Sequence, residues 1–504
     1  MMIAKGCETS NPDLVEMSVK LEQFVRQAAA EAKPLHEVEP TVLGTVLEIG
    51  KHALDLFIQL QGDGDLGPSV TTEEGKSLHR SEEPTQRTIR TVFGSHSFQT
   101  YTYAPGPKKK IQLRPVDARM SLPKGDYSYF LEEVSQYFCV EEAFAKAQQN
   151  IGKVLRQTIP VDSLERINRR LGTQAEAFMN DLTPPPPEEE GELLVVTADG
   201  KGVPMIREEA EQLPAFRQSQ RRGNRCMATL AAVYSVDRYM RTAEEVVAAL
   251  FREERVVGED RPAPCHKRVV ARFAGTYEID DDVIEVPGLY EAWWWAAEEV
   301  ERRRQPGQPL LRLADGQESL WNAASICQQR EEDVVDILDI VHVSSYVWTA
   351  AKAFCGENHE QGEAFTRDRL LRILQGEVQG VVFGLRQMIS KRGLRGQKRK
   401  EVMKVCCYFE NNAHRMRYDE YLAAGYPIGT GVIEGACRHL VKDRMERSGM
   451  RWVVEGAASM LAVRALHVSN QWNTFQKQRI EADRKQLHPH SYLLSDYTPA
   501  TLAV

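Results

Sequence analysis

The sequence predicts an α/β domain preceded by a mainly helical N-terminal half, and three observations carry that expectation. Leu193-Leu194-Val195-Val196 is a continuous apolar run ending at Thr197-Ala198-Asp199-Gly200, the pattern of a buried strand. Leu310-Leu311-Arg312-Leu313-Ala314 repeats that pattern and ends at Asp315-Gly316. From Val347 to about Leu466 the apolar residues return mostly at helical spacing. Strands mixed with helices in this order indicate an α/β layer.

The elements follow in chain order. Residues 12–61 place Leu14, Val19, Leu21 and Val25, then Leu43, Val46, Leu47, Leu54, Phe57 and Ile58, at helical spacing. Residues 88–104 alternate instead, with Ile89, Val92, Phe98 and Tyr101 among polar residues and Gly94 at a turn, which predicts a short hairpin. Helix resumes from Phe130 through Tyr137 and from Val140 to Leu155, breaks at Pro160, and restarts at Asp162, a predicted N-cap. Arg166, Arg169 and Arg170 lie on that last segment. Two readings stand there: a helix-turn-helix that reads DNA, or an ordinary helical hairpin with a solvated charged face. Thr183 to Glu190 holds four prolines followed by three glutamates and reads as a semi-rigid spacer. Beyond it, Met227–Val236 and Val334–Val343 are further strand candidates.

Composition bounds the function. The chain has 504 residues, 42% hydrophobic and 27% charged, an ordinary globular balance. Its formal net charge of −8 argues against an overall basic coat, though not against local basic patches. No apolar run approaches the ~20 residues that span a bilayer, and Met1–Leu14 lacks the basic and apolar regions of a secretory signal. A cytoplasmic protein without membrane partners is expected. The nine cysteines are odd in number and irregularly spaced, with no C-x-x-C pair, so neither a disulfide framework nor a structural zinc is expected.

The chemistry gathers around the acids. Asp199 and Asp315 each place a carboxylate where a buried strand meets glycine, and the rim of an α/β sheet is where sites assemble. Two carboxylates brought together repel, and a divalent cation is a natural way to hold them. Asp-Gly is also ordinary turn chemistry, so either one alone is weak. Tyr426-Pro427-Ile428-Gly429-Thr430-Gly431-Val432-Ile433-Glu434 adds a third acid in the first turns of a helix. At helical spacing Glu434, Arg438 and Lys442 share one face, with Arg444, Arg447 and Arg451 further along. Two i,i+4 ion pairs, or a metal-binding glutamate beside phosphate-gripping cations, both fit that pattern. Arg386 to Lys404, with Lys391, Arg392, Arg395, Lys398, Arg399 and Lys400, is a dense positive run suited to phosphate neutralisation. Trp293-Trp294-Trp295 either stacks on unpaired bases or buries against the sheet.

Three segments carry a family resemblance: Asp199-Gly200-Lys201-Gly202-Val203-Pro204-Met205, Leu338-Asp339-Ile340-Val341-His342-Val343, and Gly429 through Glu434 to Gly449-Met450-Arg451-Trp452. They resemble the ISKra-type insertion-sequence transposases, bacterial relatives of the mutator-like DDE transposases. The resemblance spans about residues 190–470 and implies an RNase H-like catalytic core with an all-helical insertion, plus a mainly helical N-terminal DNA-binding region. The implied divisions are 1–125, 126–182 with the candidate helix-turn-helix, the 183–190 linker, and core segments 191–346 and 426–470. Those core segments flank a 347–425 insertion, and 471–504 forms a tail.

The resemblance makes Asp199 and Glu434 the first and third catalytic, metal-binding acids. Asp315 is the preferred second acid, with Asp339 of the D-x-x-H motif ending at His342 as the alternative. Two Mg²⁺ or Mn²⁺ ions roughly 3.5–4 Å apart would serve phosphoryl transfer. Double-stranded DNA (element ends and target) and further copies of the chain are the implied partners. Relatives with a zinc-ribbon-like N-terminal segment carry paired cysteines, whereas residues 90–125 here contain none, so DNA binding by that half is expected without metal. Asp315 is expected close to Asp199 and Glu434, with Asp339 further away or turned elsewhere. The alternatives are an inactive DNA-binding descendant and a nuclease without strand transfer.

Overall fold

A mixed sheet of five strands organises the larger of two compact units in the computed structural model of the chain, which describes residues 14–212, 223–253, 261–279, 282–327 and 334–499. Its strands are β1 (Leu193–Pro204), β2 (Arg225–Val236), β3 (Cys265–Arg272), β4 (Leu310–Ala314) and β5 (Val334–Leu338). They lie in the order β5-β4-β1-β2-β3. β2 is antiparallel to β1 and β3 to β2, while β4 is parallel to β1 and β5 to β4. Leu193 to Ala198 are all buried, as a central strand requires, each apolar side chain contributing ~1.5–3 kcal/mol.

The expected strands are present with three differences. β1 does not end at Asp199-Gly200 but continues to Pro204, because β2 pairs with it along the whole length from Leu193↔Val236 to Pro204↔Arg225. β5 stops at Leu338 rather than Val343, since Asp339 caps a helix (α2, Ile340–Cys355). β3 was not among the sequence candidates; the consecutive His266 and Lys267 hide a short buried run, Arg268–Ala271.

Between β3 and β4, a helix (α1, Gly288–Arg303) packs on β2, and it settles the tryptophan triplet. Trp293 and Trp295 are buried, leaving only Trp294 partly exposed. After α2 come α3 (His359–Leu374), α4 (Val378–Lys391) and α5 (Gly396–Asn412), the expected all-helical stretch. A short α6 (Gly431–Ala436) carries Glu434, and α7 (Val454–Val468) packs on β3.

The unit boundary falls at Asn168/Arg169, inside the helix Val161–Asn180, and not at the proline-glutamate segment. The physical reason is a buried ionic cluster. Glu299 is wholly buried and pairs with Arg268 at 3.0 Å and Arg302 at 2.7 Å. Arg303 pairs with Glu190 at 2.7 Å, and Arg268 donates to the carbonyls of Leu182 and Thr183. Glu190 and the start of the proline run are thereby fastened to β3 and α1 instead of forming a free spacer.

The smaller unit comprises residues 1–168 and 473–504. Helices Leu14–Ala30 and Leu35–Gln59 match the predicted periodicity, and strands Thr85–Thr91 and Gly94–Thr100 form the predicted hairpin. Helices Tyr129–Glu141 and Phe144–Leu155 complete the first part. The segment expected as a tail is instead a helix, Trp472–Leu487, whose Arg479 forms a buried 2.9 Å ion pair with Glu132. The arginine-bearing helix, Val161–Asn180, runs for 20 residues, and the unit boundary falls within it. No described helix is long and apolar enough to cross a membrane.

Removing one member of the buried cluster leaves arginines uncompensated. Glu299→Gln is therefore expected to cost about 3–5 kcal/mol, read by denaturant unfolding. The exposed Glu244→Gln is expected to change stability by less than about 0.5 kcal/mol.

Candidate active site

Strand register brings the acids together. β4 pairs with β1 up to Leu313↔Thr197, and with β5 up to Ala314↔Leu338. Continuing both registers to Asp315 sets it level with Asp199 on one side and Asp339 on the other. Adjacent strands lie about 4.8 Å apart, so three aspartates stand in a row across the sheet with Asp315 in the middle. The Asp339 N–H continues the ladder by bonding the Ala314 carbonyl at 3.0 Å.

Each carboxylate has a different environment. Asp199 accepts from the Gly200 N–H at 2.7 Å and from the Cys437 thiol at 3.4 Å. Asp315 is half-buried and accepts from the Gln317 N–H at 2.8 Å, an Asx-type turn that lets the chain leave β4. Asp339 is completely buried. One of its oxygens accepts from Val341 N at 3.2 Å and Thr430 N at 3.0 Å; the other accepts from His342 N at 3.1 Å and His342 Nδ1 at 2.8 Å. Glu434 is exposed on α6.

These settings act on protonation. Burial, then the negative charges of Asp199 and Asp339, push the Asp315 carboxyl up despite the Gln317 N–H. Burial, then Asp339 and Asp199, raise Glu434 likewise. Burial alone would raise Asp339, but hydrogen bonds from His342, Thr430 and Val341 outweigh it and hold its carboxyl low. The hydrogen bond to Asp339 raises His342 in turn.

The expectation that Asp339 sits further away is corrected by the geometry. Asp339, His342 and Glu434 each bring a potential ligand atom within 4.8 Å of the others. The helix N-cap accounts for this: capping α2 turns the Asp339 side chain back over the first turn and toward the Gly429–Glu434 segment, where Thr430 meets it. Asp315 also lies close enough to Asp199, Asp339 and His342 for their charges to act on it. Carboxylates and one imidazole in such proximity can hold a divalent cation.

Several neighbours were not visible in the sequence. Tyr408 stacks on Tyr346 at 3.8 Å between centroids, and its ring covers Gly316, leaving no room there for a Cβ. Cys437 follows α6 in a π-helical turn, Cys437–Lys442. That wider turn breaks the i,i+4 spacing expected for Glu434, Arg438 and Lys442, and Arg438 instead lies 3.9 Å from Asp443.

The cations divide into two groups. Lys442, Arg447 and Arg451 are exposed, as is Arg438. Arg444 is not a phosphate-gripping residue: it is fully buried, stacked over Trp452 at 4.9 Å and donating to the Met450 sulfur. In the basic run, Arg386 pairs with Glu410 at 2.7 Å, and Arg392 lies over the Phe354 ring. Lys391, Arg395, Lys398, Arg399 and Lys400 are exposed around the α4–α5 turn, with no carboxylate partner among the described residues.

No family model matches the chain, and no curated protein is found to be significantly similar to it.

Asp315→Asn tests the crowding of the acids. Because the folded-state pKa lies above the ordinary 3.8, the charged form is penalised in the folded protein. That penalty is present at neutral pH and fades as pH falls toward 3.8. The variant, without divalent cations, is expected to melt on the order of 2 °C higher at pH 7.5, with the gain shrinking as pH falls toward 3.8.

Proposed function

We propose that this chain is a DNA transposase of a bacterial insertion sequence, cleaving element ends and joining the freed 3′-hydroxyls to target DNA. The observation that carries the reading is the register that sets Asp199 and Asp315 level at adjacent parallel strands, with Glu434 on a separate helix whose continuation touches Asp199 through Cys437. The β5-β4-β1-β2-β3 order, antiparallel on one side of β1 and parallel on the other, supports an RNase H-like core.

The donor set fits hard divalent cations, because the Asp315 and Glu434 carboxyls, raised by burial and then by neighbouring negative charges, gain from a positive charge placed among them. Asp199, Asp315 and Glu434 would hold Mg²⁺ or Mn²⁺. Such ions activate an attacking hydroxyl and stabilise a leaving oxygen in phosphoryl transfer. The chain itself orients the reaction. The Gln317 N–H fixes Asp315, Cys437 and Gly200 fix Asp199, and the cations of the α4–α5 turn neutralise DNA phosphates. Arg438, Lys442, Arg447 and Arg451 are further exposed cations on the segment that follows Glu434. Joining two ends in one event favours a homo-oligomeric complex, acting in the bacterial cytoplasm.

Two experiments test the reading. Asp199→Ala and Glu434→Ala are each expected to reduce cleavage of a duplex carrying the gene's own flanking DNA to background, while circular dichroism and DNA binding stay intact. Wild-type cleavage in either variant overturns the assignment. Neutralising Lys398, Arg399 and Lys400 together is expected to weaken binding to all duplexes alike. The log K against log salt slope should then flatten by about one unit per lost phosphate contact. A loss confined to the end sequence would indicate base reading by this turn instead.

A further inference from the structure

The D-x-x-H pair has a division of labour that the three-acid reading leaves unused. Asp339 has no solvent exposure, and each of its oxygens already accepts two hydrogen bonds. It is a saturated carboxylate with little left to offer an exchangeable ion. His342, one turn into α2, is different. Its Nδ1 is held by Asp339 at 2.8 Å, its side chain is 41% exposed, and Nε2 makes no hydrogen bond among the described residues. Glu434 brings a carboxylate oxygen into the same 4.8 Å group. An imidazole pinned through one nitrogen by a buried carboxylate, with its other nitrogen unbonded among the described residues and a second carboxylate near the ring, is the arrangement by which proteins orient a histidine toward a metal.

We propose that His342 is a nitrogen ligand to a divalent cation shared with Glu434, and that Asp339 is its positioning residue rather than a ligand. This rests on the preceding reading only in taking Glu434 to be a cation-binding group. The chemical consequence is selectivity. An all-oxygen site suits Mg²⁺, whereas one imidazole among carboxylates shifts preference toward Mn²⁺ and other borderline ions, which accept nitrogen donors more readily. The Asp339 hydrogen bond supports this by fixing which ring nitrogen carries the proton and which faces the ion.

The test uses the full-length protein with Mn²⁺ alone and no DNA, read by pulsed electron paramagnetic resonance and by titration of free Mn²⁺. Wild type is expected to show ¹⁴N modulation from a directly bound imidazole. His342→Gln is expected to lose that modulation and bind Mn²⁺ about 10-fold more weakly, with unchanged circular dichroism. Asp339→Asn should keep the modulation but weaken binding about 10–100-fold, the range seen when a ligand's supporting hydrogen bond is altered. Mn²⁺ bound to wild type without ¹⁴N modulation, yet lost in Glu434→Gln, overturns the nitrogen ligand and leaves the Glu434 reading intact. Modulation that persists in His342→Gln also overturns it. Failure of the wild-type protein to bind Mn²⁺ at millimolar concentration overturns both.

Discussion

Like charge at one level of a parallel sheet is the constraint on which the rest of this molecule's site depends. The β1–β4–β5 register stations Asp199, Asp315 and Asp339 in a row, and carboxylates at strand spacing cannot all stay ionised without compensation. The protein compensates them unequally. Asp339 receives four donors and stays ionised; Asp199 receives a backbone N–H and a thiol; Asp315 receives one N–H and is pushed up. The same row is thus graded from a satisfied structural acid to an under-satisfied one, and the under-satisfied end is where a cation has most to contribute.

That grading requires the helix segment carrying Glu434 to be held in place from several sides. Ile340 N–H bonds the Ile428 carbonyl at 3.0 Å, and Thr430 N–H bonds Asp339. After the π turn, Trp452 N–H returns to the Pro204 carbonyl at 3.1 Å, and Ile206 N–H to the Trp452 carbonyl at 2.9 Å. Buried Arg444 stacked on Trp452 packs the inside of this loop. The extension of β1 past Asp199 has its purpose here: Pro204 to Ile206 form the anchor to which the glutamate segment is tied at its far end.

Strand signals were legible wherever burial was continuous. Leu193–Ala198 and Leu310–Ala314 are dominated by buried apolar residues, broken only by Thr197 and Arg312, so sequence alone located them and the acids that follow. The boundaries that failed were set by partners distant in sequence. Nothing within Asp199-Gly200 tells that β2 continues to pair beyond it. Four prolines and three glutamates look solvated until Arg268 and Arg303 arrive from 85 to 113 residues away. Arg444 reads as one more surface cation in a basic stretch, and only the ring of Trp452 makes it interior. For Asp339 the apolar flanks suggested burial, which is correct, but burial did not imply remoteness: an N-cap carboxylate can be wholly enclosed and still border an open site through the residue it orients.

Asp315 and Asp339 stand level at adjacent strands but are held in different ways. An ionised, enclosed Asp339 at the start of α2 serves the backbone first, satisfying two N–H groups of the helix and one from Thr430 across to the Glu434 segment. Its negative charge then acts over a short range on His342, Asp315 and Glu434 without being consumed by an ion. Asp315, by contrast, is fixed by a single turn hydrogen bond beneath the Tyr346–Tyr408 stack, where its carboxylate remains free to exchange partners. One acid builds the rim and the other is available at it. The burial that makes Asp339 a poor ligand is what makes it a good support.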